Sequence, residues 1–381
     1  MSLWWNTTTR FLRRSTLPRD DSAFAVHNPH QTRNDLRCRI SSATTGAVME
    51  YTKLGSSDLE VSRICLGTVF RSEMAEEECL AALDAALDQG VNFLDCANVY
   101  RNGYSETIVG KAIRGRRDRF VVSTKVGSQV EGDAASGGLS RVAITKALEA
   151  SLRRLRTDYV DFYLCHFPDP SVPTEETVRA MDDLVKQGKV RFHGCSNFES
   201  WRLYEALLVS ERERISPFVC NQVGFSLLDR RVEEELVPFC QQRGVAVTAF
   251  APMAIGLLSG RFRYGQPPPE GTSWHRGPYN YRAAMTPRVD AVIQTVIDVG
   301  DARHKTPSQV AMAWCLHQPG IDVVITGADT PERVFENCGA TGWSLSQEEV
   351  QQLDEVSDGQ RLKIRKDCPD GYRRTGDGTS F

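Results

Sequence analysis

Residues 61–340 repeat one pattern eight times: a short apolar run, rich in β-branched residues, is followed by a longer stretch with helical spacing. The apolar runs lie at 61–67, 91–95, 119–127, 158–166, 190–197, 217–225, 245–253 and 321–327. The helical stretches lie at 75–90, 105–115, 140–155, 174–188, 199–209, 231–244, 287–318 and 330–340. Nearly continuous apolar strands alternating with amphipathic helices are typical of a parallel sheet covered by helices.

The number of units favours a closed barrel. Eight strand–helix units in about 300 residues predict an α/β chain folded as a (β/α)8 TIM barrel, a parallel eight-stranded barrel, with an extra C-terminal helix. The alternative is an open, doubly wound sheet, in which a glycine-rich nucleotide-binding loop follows the first strand. No Gly-x-Gly-x-x-Gly follows any predicted strand, so the sequence favours the barrel.

Polar residues stand where several predicted strands end. Asp95 follows the second strand, Lys125 the third and His166 the fourth, and Tyr100 lies in the loop after Asp95. Taken singly, each has an ordinary explanation as a loop cap, a solvated lysine or a structural histidine. Because the carboxyl ends of all strands meet at one face of a barrel, we expect the four to lie together.

This set of residue types suits proton transfer to a carbonyl oxygen. A phenol with a pKa of about 10 is a weak acid at neutral pH, and a nearby ammonium stabilises its phenolate and lowers that pKa. Lys125 would supply the charge, and Asp95 would pair with the lysine and hold it. His166 would donate a hydrogen bond to a substrate oxygen or join a proton relay with Tyr100. Since no side chain supplies hydride, reduction of the carbonyl needs a nicotinamide.

Further strand ends carry residues that suit a nicotinamide. Ser196 and Asn197 end the fifth strand, Gln222 ends the sixth and Phe250 lies at the end of the seventh. Amide side chains both donate and accept hydrogen bonds and so match a carboxamide, and an aromatic ring can stack on the pyridine.

The order and spacing of several motifs resemble the aldo-keto reductase superfamily, on its microbial and channel-β-subunit side, over roughly residues 50–358. The motifs are LGxxxxxVSRICLGT (54–68), NFLDCANVY with GYSE (92–106), VVSTKVG (121–127), RLRTDYVDFYLCH (154–166), GCSNF (194–198), NQVGFSLLDR (221–230), AFAPMAIGLLSGRF (249–262) and ITGADTPERVFEN (325–337).

The resemblance implies an NAD(P)(H)-dependent oxidoreductase that interconverts an aldehyde or ketone and the alcohol. It implies a catalytic tetrad of Asp95, Tyr100, Lys125 and His166, with Tyr100 as the general acid. It also implies a set of cofactor contacts at strand ends and in the last loop: Gly67, Thr68, Ser196, Asn197, Gln222, Phe250, Pro252, Arg333, Glu336 and Asn337.

The sequence departs from the family pattern around the cofactor. Phe250 stands where tyrosine is usual, and the motif Phe-Ala-Pro-Met at 250–253 lacks a hydroxyl that the usual Tyr-Ser-Pro-Leu places near the cofactor phosphates. In the last loop, the carboxylate of Asp329 would repel a 2′-phosphate, whereas Arg333 can bind one in bidentate fashion. NADP(H) is therefore favoured only narrowly over NAD(H).

Residues 1–48 differ in composition from the rest of the chain. They hold seven arginines and three aspartates with no lysine or glutamate, a net charge of +4, whereas residues 49–381, with 39 basic and 46 acidic residues, carry −7. We predict a disordered extension or an upstream start to a chain beginning at Met49, with an organellar targeting peptide as the alternative. The barrel then covers 49–358 and residues 359–381 form a C-terminal tail, of which residues 364–381 either fold over the site or are disordered.

Composition excludes several classes of partner. The net charge of −3 and the absence of a basic cluster exclude nucleic acid as an expected partner. No stretch approaches the roughly 18 apolar residues that span a bilayer. Eleven cysteines without Cys-x-x-Cys pairs fit a reducing compartment. We expect a cytoplasmic protein, or an organellar one if residues 1–48 are a transit peptide.

The substrate is expected to be a small aldehyde, ketone or sugar. The insertion at 260–285 is rich in Gly, Pro and aromatic residues and is the predicted specificity loop. Its Trp274, Tyr279 and Tyr281 would stack on sugar faces or anchor the loop.

Three alternative functions are kept for comparison. One is an aldose 1-dehydrogenase that uses NAD. Another is a regulatory subunit of the same fold that senses bound nucleotide, as in the channel-associated branch. A metal-dependent hydrolase is disfavoured, because no His-x-His, His-x-x-x-His or carboxylate cluster stands at the strand ends.

Overall fold

The computed structural model describes residues 48–71, 73–130, 132–133, 136–277, 279–327 and 330–362. The strands in these residues are β1 (Tyr51–Lys53), β2 (Glu60–Ser62), β3 (Ile64–Gly67), β4 (Phe93–Asp95), β5 (Val121–Val126), β6 (Val160–Cys165), β7 (Val190–Ser196), β8 (Cys220–Gly224), β9 (Ala246–Phe250) and β10 (Val323–Gly327). The α-helices are α1 (Glu76–Asp88), α2 (Tyr104–Ala112), α3 (Arg141–Leu155), α4 (Thr174–Lys186), α5 (Ser200–Glu213), α6 (Leu236–Arg243), α7 (Ser273–Arg276), α8 (Tyr281–Ala284), α9 (Pro287–Arg303), α10 (Pro307–His317), α11 (Pro331–Cys338) and α12 (Gln347–Ser357).

Strands β3 to β10 form a closed parallel barrel in chain order, and β10 pairs with β3 to complete the ring. At the closure Gly327 lies opposite Gly67, and Ile325 of the same strand lies opposite Phe250 on its other side. The predicted (β/α)8 barrel is confirmed, and α12 is the extra C-terminal helix.

The apolar core has an inner and an outer part. The inner part fills the barrel and includes Cys65, Phe93 and Phe162, together with Leu54 and Val61 from the β1–β2 hairpin. The larger outer part lies between the strands and the surrounding helices. The hairpin therefore closes the end of the barrel where the strands begin, which leaves the opposite end for the polar residues.

Local sequence signals explain where several helices begin. Ser140, Thr306 and Ser346 cap α3, α10 and α12 by accepting the backbone N–H three residues later. In α10 and α12 the side chain of Gln309 or Glu349 accepts in return from the backbone N–H of the cap residue, and Pro307 occupies the first turn of α10.

The first predicted strand is wrong in one respect. Residues 61–67 belong to two strands, since the chain leaves the hairpin at Ser62 and enters the barrel at Ile64. Arg63 marks the change: its guanidinium donates to the carbonyls of Leu316, Ile321 and Asp322. The sixth predicted helix also begins later than expected, because a short 3-10 turn (Arg231–Glu233) precedes α6.

The insertion at 260–285 is anchored by its aromatic residues. Trp274 is 3% exposed, and its Nε1 donates to the carbonyl of Ile255 at 3.0 Å. Its ring packs against Tyr279 and Tyr281, with centroids 5.2 and 6.2 Å away. Of the two roles expected for Trp274, the anchoring role is correct, and its face is not available to a sugar.

Residues 1–47 and 363–381 lie outside the described residues, so the predictions made for the extension and for most of the tail concern parts that the structure does not describe. The first residues of the tail lie against the loop after β8, where Arg361 pairs with Glu234 at 2.7 Å and the carbonyl of Gln360 accepts from Arg230 N. None of the described helices combines the length and the apolar character needed to cross a bilayer. The nine cysteines in the described ranges are free thiols and are buried.

Candidate active site

The four predicted catalytic residues lie together at the end of the barrel where the strands finish. Asp95 ends β4, Lys125 lies in β5, His166 directly follows β6 and Tyr100 begins a 3-10 turn (Tyr100–Gly103). Lys125 Nζ donates to Asp95 Oδ2 at 2.6 Å, to the carbonyl of Cys96 at 2.7 Å and to the Tyr100 hydroxyl at 3.2 Å. The ammonium therefore has a partner for each of its three protons, which fixes its position.

Burial and the charge of the partner shift the pKa values of Lys125 and Tyr100 in opposite directions. Burial alone would lower the pKa of Lys125, but Asp95 and Tyr100 raise it, and the net pKa lies above the ordinary value. Burial raises the pKa of Tyr100, and Lys125 offsets only part of that rise. The expectation that Lys125 lowers the pKa of Tyr100 is correct for its own contribution and wrong for the net value. At neutral pH the phenol thus carries its proton beside a charged ammonium.

The His166 side chain packs edge-on against Tyr100. The ring centroids are 5.8 Å apart with an interplanar angle of 79°, and the imidazole also stacks on Phe167 at 4.8 Å. Its Nδ1 lies 3.4 Å from the hydroxyl of Ser128, and the residue is 5% exposed. These contacts hold the imidazole next to the phenol.

Gln222 and Thr68, which are predicted to contact the cofactor, form hydrogen bonds to Asp95 of the tetrad. Gln222 Nε2 donates to Asp95 Oδ1 at 3.0 Å. Thr68, fully buried, donates through both its backbone N and its hydroxyl to the carbonyl of Asp95, at 2.9 Å each. The Thr68 hydroxyl also lies 2.6 Å from that of Ser105. Neither supporting role was predicted from the sequence.

The predicted amide contacts form a connected group. Ser196 Oγ donates to the carbonyl of Gln222 at 2.9 Å, and Asn197 Nδ2 donates to Ser196 Oγ at 2.9 Å and to the carbonyl of His166 at 3.0 Å. Asn197 adopts a left-handed backbone conformation with φ of 60°. These hydrogen bonds link the ends of β7 and β8 to the backbone of His166.

The loop after β9 has an unusual backbone. It begins at the half-buried Phe250 and contains the buried Pro252. Ala251, Ala254 and Ile255 have φ values of 53°, 50° and 56°. Left-handed conformations of residues with a side chain are strained and concentrate at ligand-binding sites.

The last predicted contacts lie on α11. Arg333 is exposed and Glu336 is half-buried, whereas Asn337 is buried and donates to Thr326 Oγ1 at 2.8 Å and to the carbonyl of Gly327 at 3.2 Å. Asn337 therefore ties the helix to the end of β10, close to Gly67. Ala328 and Asp329 lie outside the described residues. The predicted repulsion between the Asp329 carboxylate and a 2′-phosphate therefore concerns a residue that the structure does not describe.

A cavity of about 500 Å³ opens between the loops that follow β7 and β8. Its lining includes Asn197, Trp201, Asp229 and Arg231 but no member of the tetrad. Of these residues, Asn197 donates to the carbonyl of His166 in the tetrad. In the described part of the chain, no group of three or more His, Cys, Asp or Glu is placed to hold a metal ion.

Sequence and family comparisons agree with one another. The family model described as "Aldo/keto reductase family" matches residues 63–358. An uncharacterized oxidoreductase of Bacillus subtilis (strain 168) is 34% identical over 323 residues, which is 82% of this chain and 97% of that protein. A probable voltage-gated potassium channel subunit beta of Arabidopsis thaliana is 36% identical over 304 residues, 77% of this chain and 91% of that protein. An aldo-keto reductase of Bacillus subtilis (strain 168) is 30% identical over 316 residues, 81% and 93% of the two chains.

Proposed function

This chain belongs to the aldo/keto reductase family of oxidoreductases, and we propose that it interconverts an aldehyde or ketone and the corresponding alcohol with NADP(H) or NAD(H). The observation that carries the proposal is the position of Lys125 Nζ, which contacts the Asp95 carboxylate and the Tyr100 hydroxyl at once. A buried ammonium in that position has a clear chemical use, since it stabilises negative charge on the phenol oxygen.

In the proposed reduction Tyr100 is the general acid. Its hydroxyl gives a proton to the carbonyl oxygen, and the phenolate that remains is stabilised by Lys125, 3.2 Å away. Asp95 keeps the lysine in place, and His166 orients the carbonyl oxygen beside the phenol. The hydride for the carbonyl carbon would come from a nicotinamide held by the residues described next. Solvent then returns a proton to Tyr100.

The residues present fit a nicotinamide cofactor. For the carboxamide, Asn197 offers its Oδ1 as an acceptor, Gln222 offers its second amide N–H and its Oε1, and Phe250 offers a ring at the mouth of the barrel. Asn197 and the loop after Phe250 are held in left-handed conformations, which is the kind of strain found where a ligand lies against the backbone. The further residues proposed to contact the cofactor are Gly67, Thr68, Ser196, Pro252, Arg333, Glu336 and Asn337.

The test is a side-by-side fluorescence titration of the purified protein with NADPH and NADH, followed by turnover assays with simple aldehydes, ketones and sugars. We favour NADP(H) narrowly, because Arg333 suits a 2′-phosphate. Tighter NADPH binding together with carbonyl reduction supports a reductase. Tighter NADH binding with oxidation of a sugar supports the aldose 1-dehydrogenase alternative. Binding of neither nucleotide excludes the proposal.

A second candidate is a nucleotide-sensing subunit of the same fold. It is favoured by the relatives in Arabidopsis thaliana and in Oryza sativa subsp. japonica, each named as a probable potassium channel subunit beta and each 36% identical to this chain over 304 residues. Nucleotide binding with no turnover on any carbonyl would favour this candidate. For either function we infer a cytoplasmic location, with an organelle as the alternative.

A further inference from the structure

A buried ion pair lies behind the Tyr100 turn. Glu106, in the first turn of α2, is fully buried, and its Oε2 accepts from Arg154 Nε at 2.6 Å. Its Oε1 accepts from the hydroxyl of Thr124 at 2.5 Å. Successive residues of a strand point to opposite faces, so Thr124 lies on the back of β5 and Lys125 on the front. Glu106 thus binds the strand directly behind the catalytic lysine.

The turn that carries Tyr100 is strained. Arg101, Asn102 and Gly103 follow Tyr100 with φ values of 47°, 58° and 87°, three left-handed residues in succession. Two of them have side chains, for which this conformation is unfavourable. Such a turn persists only where the surrounding structure holds it.

Arg154 supplies that support. A Cβ added to Gly103 would lie 2.7 Å from Arg154 Cδ and 2.8 Å from its Nε, so the backbone of the turn rests directly on the arginine side chain. The arginine, in turn, is held by Glu106 and reaches Ser151 Oγ at 3.3 Å. One continuous path of contacts therefore joins the back of β5 to the turn that begins at Tyr100.

We propose that Glu106 and Arg154 are positioning residues for the reaction, which hold the Tyr100 hydroxyl within hydrogen-bonding distance of Lys125. The inference rests on the proposed reductase function. Lys125 contacts Tyr100 at 3.2 Å, the longest of its three hydrogen bonds, so this contact is the first to be lost when the turn loosens. A displacement of about 1 Å at a reacting group can slow a reaction about a hundredfold.

Two variants remove the ion pair while keeping side-chain size, namely Glu106→Gln and Arg154→Met. We expect each to lower kcat for aldehyde reduction by about tenfold to a hundredfold while the Kd for NADPH changes less than about twofold. In hydrogen-exchange mass spectrometry, peptides that cover residues 99–108 should exchange faster in both variants. Arg154→Lys, which retains a cation and an aliphatic stem, should restore part of kcat.

Asp161→Asn is the matched control. Asp161 is also buried and binds the same strand, since it accepts from Val122 N at 2.9 Å and pairs with Arg117 and Arg191 at 2.6 and 3.1 Å. Its contact at Val122 is near the beginning of β5, whereas the tetrad lies where the strands end. We expect this variant to lower the Tm and to leave kcat and exchange at residues 99–108 unchanged.

The proposal is wrong if Glu106→Gln and Arg154→Met keep the wild-type kcat, or if Asp161→Asn lowers kcat as much as they do. Unchanged exchange at residues 99–108 in the first two variants would also overturn it. If the wild-type protein reduces no carbonyl, the proposed function fails. In that case the exchange comparison still decides whether this ion pair holds the turn.

Discussion

Gln222 and Asp95 are joined by a hydrogen bond of 3.0 Å although their strands, β8 and β4, stand four places apart in the eight-stranded ring. The bond therefore crosses the mouth of the barrel. Lys125 donates to the other carboxylate oxygen, so each oxygen of Asp95 has its own donor. A carboxylate suits this position because both of its oxygens accept and neither donates.

We expect Asp95→Asn to weaken this arrangement. An amide has one acceptor oxygen and one NH2 group, so its NH2 must face a donor on either Lys125 or Gln222, and one contact is lost. The free energy of unfolding should fall by about 1–3 kcal/mol, and kcat should fall because the lysine is less well held. Urea unfolding and steady-state kinetics measure both. An unchanged kcat would mean that Asp95 does not act through Lys125.

Tyr100→Phe should remove the proton donor and little else. We expect carbonyl reduction to fall by about 10²–10⁴-fold, the usual contribution of general acid catalysis. The Kd for NADPH should stay close to that of the wild-type protein, since the ring and its packing against His166 are kept. Retained turnover in this variant would mean that another group supplies the proton.

Arg333→Ala should discriminate between the two nucleotides. If Arg333 meets the 2′-phosphate, the variant loses a hydrogen bond to a charged group, which is worth about 1.5–3 kcal/mol. The Kd for NADPH should then rise by roughly tenfold or more, and the Kd for NADH should not change. Equal effects on both nucleotides would place Arg333 elsewhere on the cofactor.

A buried histidine outside the proposed site should make the free energy of unfolding depend on pH. Burial lowers the pKa of His193 from 6.5 to about 4, and Asp182, which faces it through Ser216, only partly offsets this. The unfolded chain binds the proton of His193 at higher pH than the folded chain does. The free energy of unfolding is therefore highest above pH 6.5 and falls as the pH decreases toward 4.

The loss amounts to about 3 kcal/mol between those limits. Urea unfolding at several pH values should show this dependence in the wild-type protein and a weaker one in His193→Gln. Equal slopes in the two proteins would contradict the assignment.

Removal of residues 1–48 should leave a folded, active enzyme. The first hydrogen-bonded strand begins at Tyr51, and the family model begins at residue 63. Circular dichroism, Tm and turnover of a chain starting at Met49 test this. An insoluble or inactive truncation would show that the extension packs on the barrel.

The fold was predictable because its signal recurs. Each barrel strand is a nearly continuous apolar run, and the strand-end rule was sufficient to place Asp95, Lys125 and His166 at one face. The break at Arg63 was not predictable, because an apolar run looks the same whether it pairs with a hairpin or with the barrel. The role of Arg63 depends on hydrogen bonds to carbonyls that lie more than 250 positions later in the chain.

The direction of each polar side chain was also beyond the sequence. Thr68 and Asn337 are predicted to contact a cofactor, and the sequence does not show that their polar atoms also bind the ends of β4 and β10. The pairing of Glu106 with Arg154 spans 48 positions and joins two helices. In the sequence, Glu106 resembles any acidic residue in the first turn of a helix, so periodicity alone does not single it out.

The ring of strands is divided into two arcs with different tasks. The tetrad is carried by β4, β5 and β6 and the loops that follow them, whereas the residues proposed for the cofactor are carried mainly by β7 to β10. Evolution, or a protein engineer, can therefore alter nucleotide preference on one arc while the other stays constant. Gln222 and Thr68 are exceptions, because each is proposed to contact the cofactor and also donates a hydrogen bond to Asp95, so a substitution at either position would affect both groups.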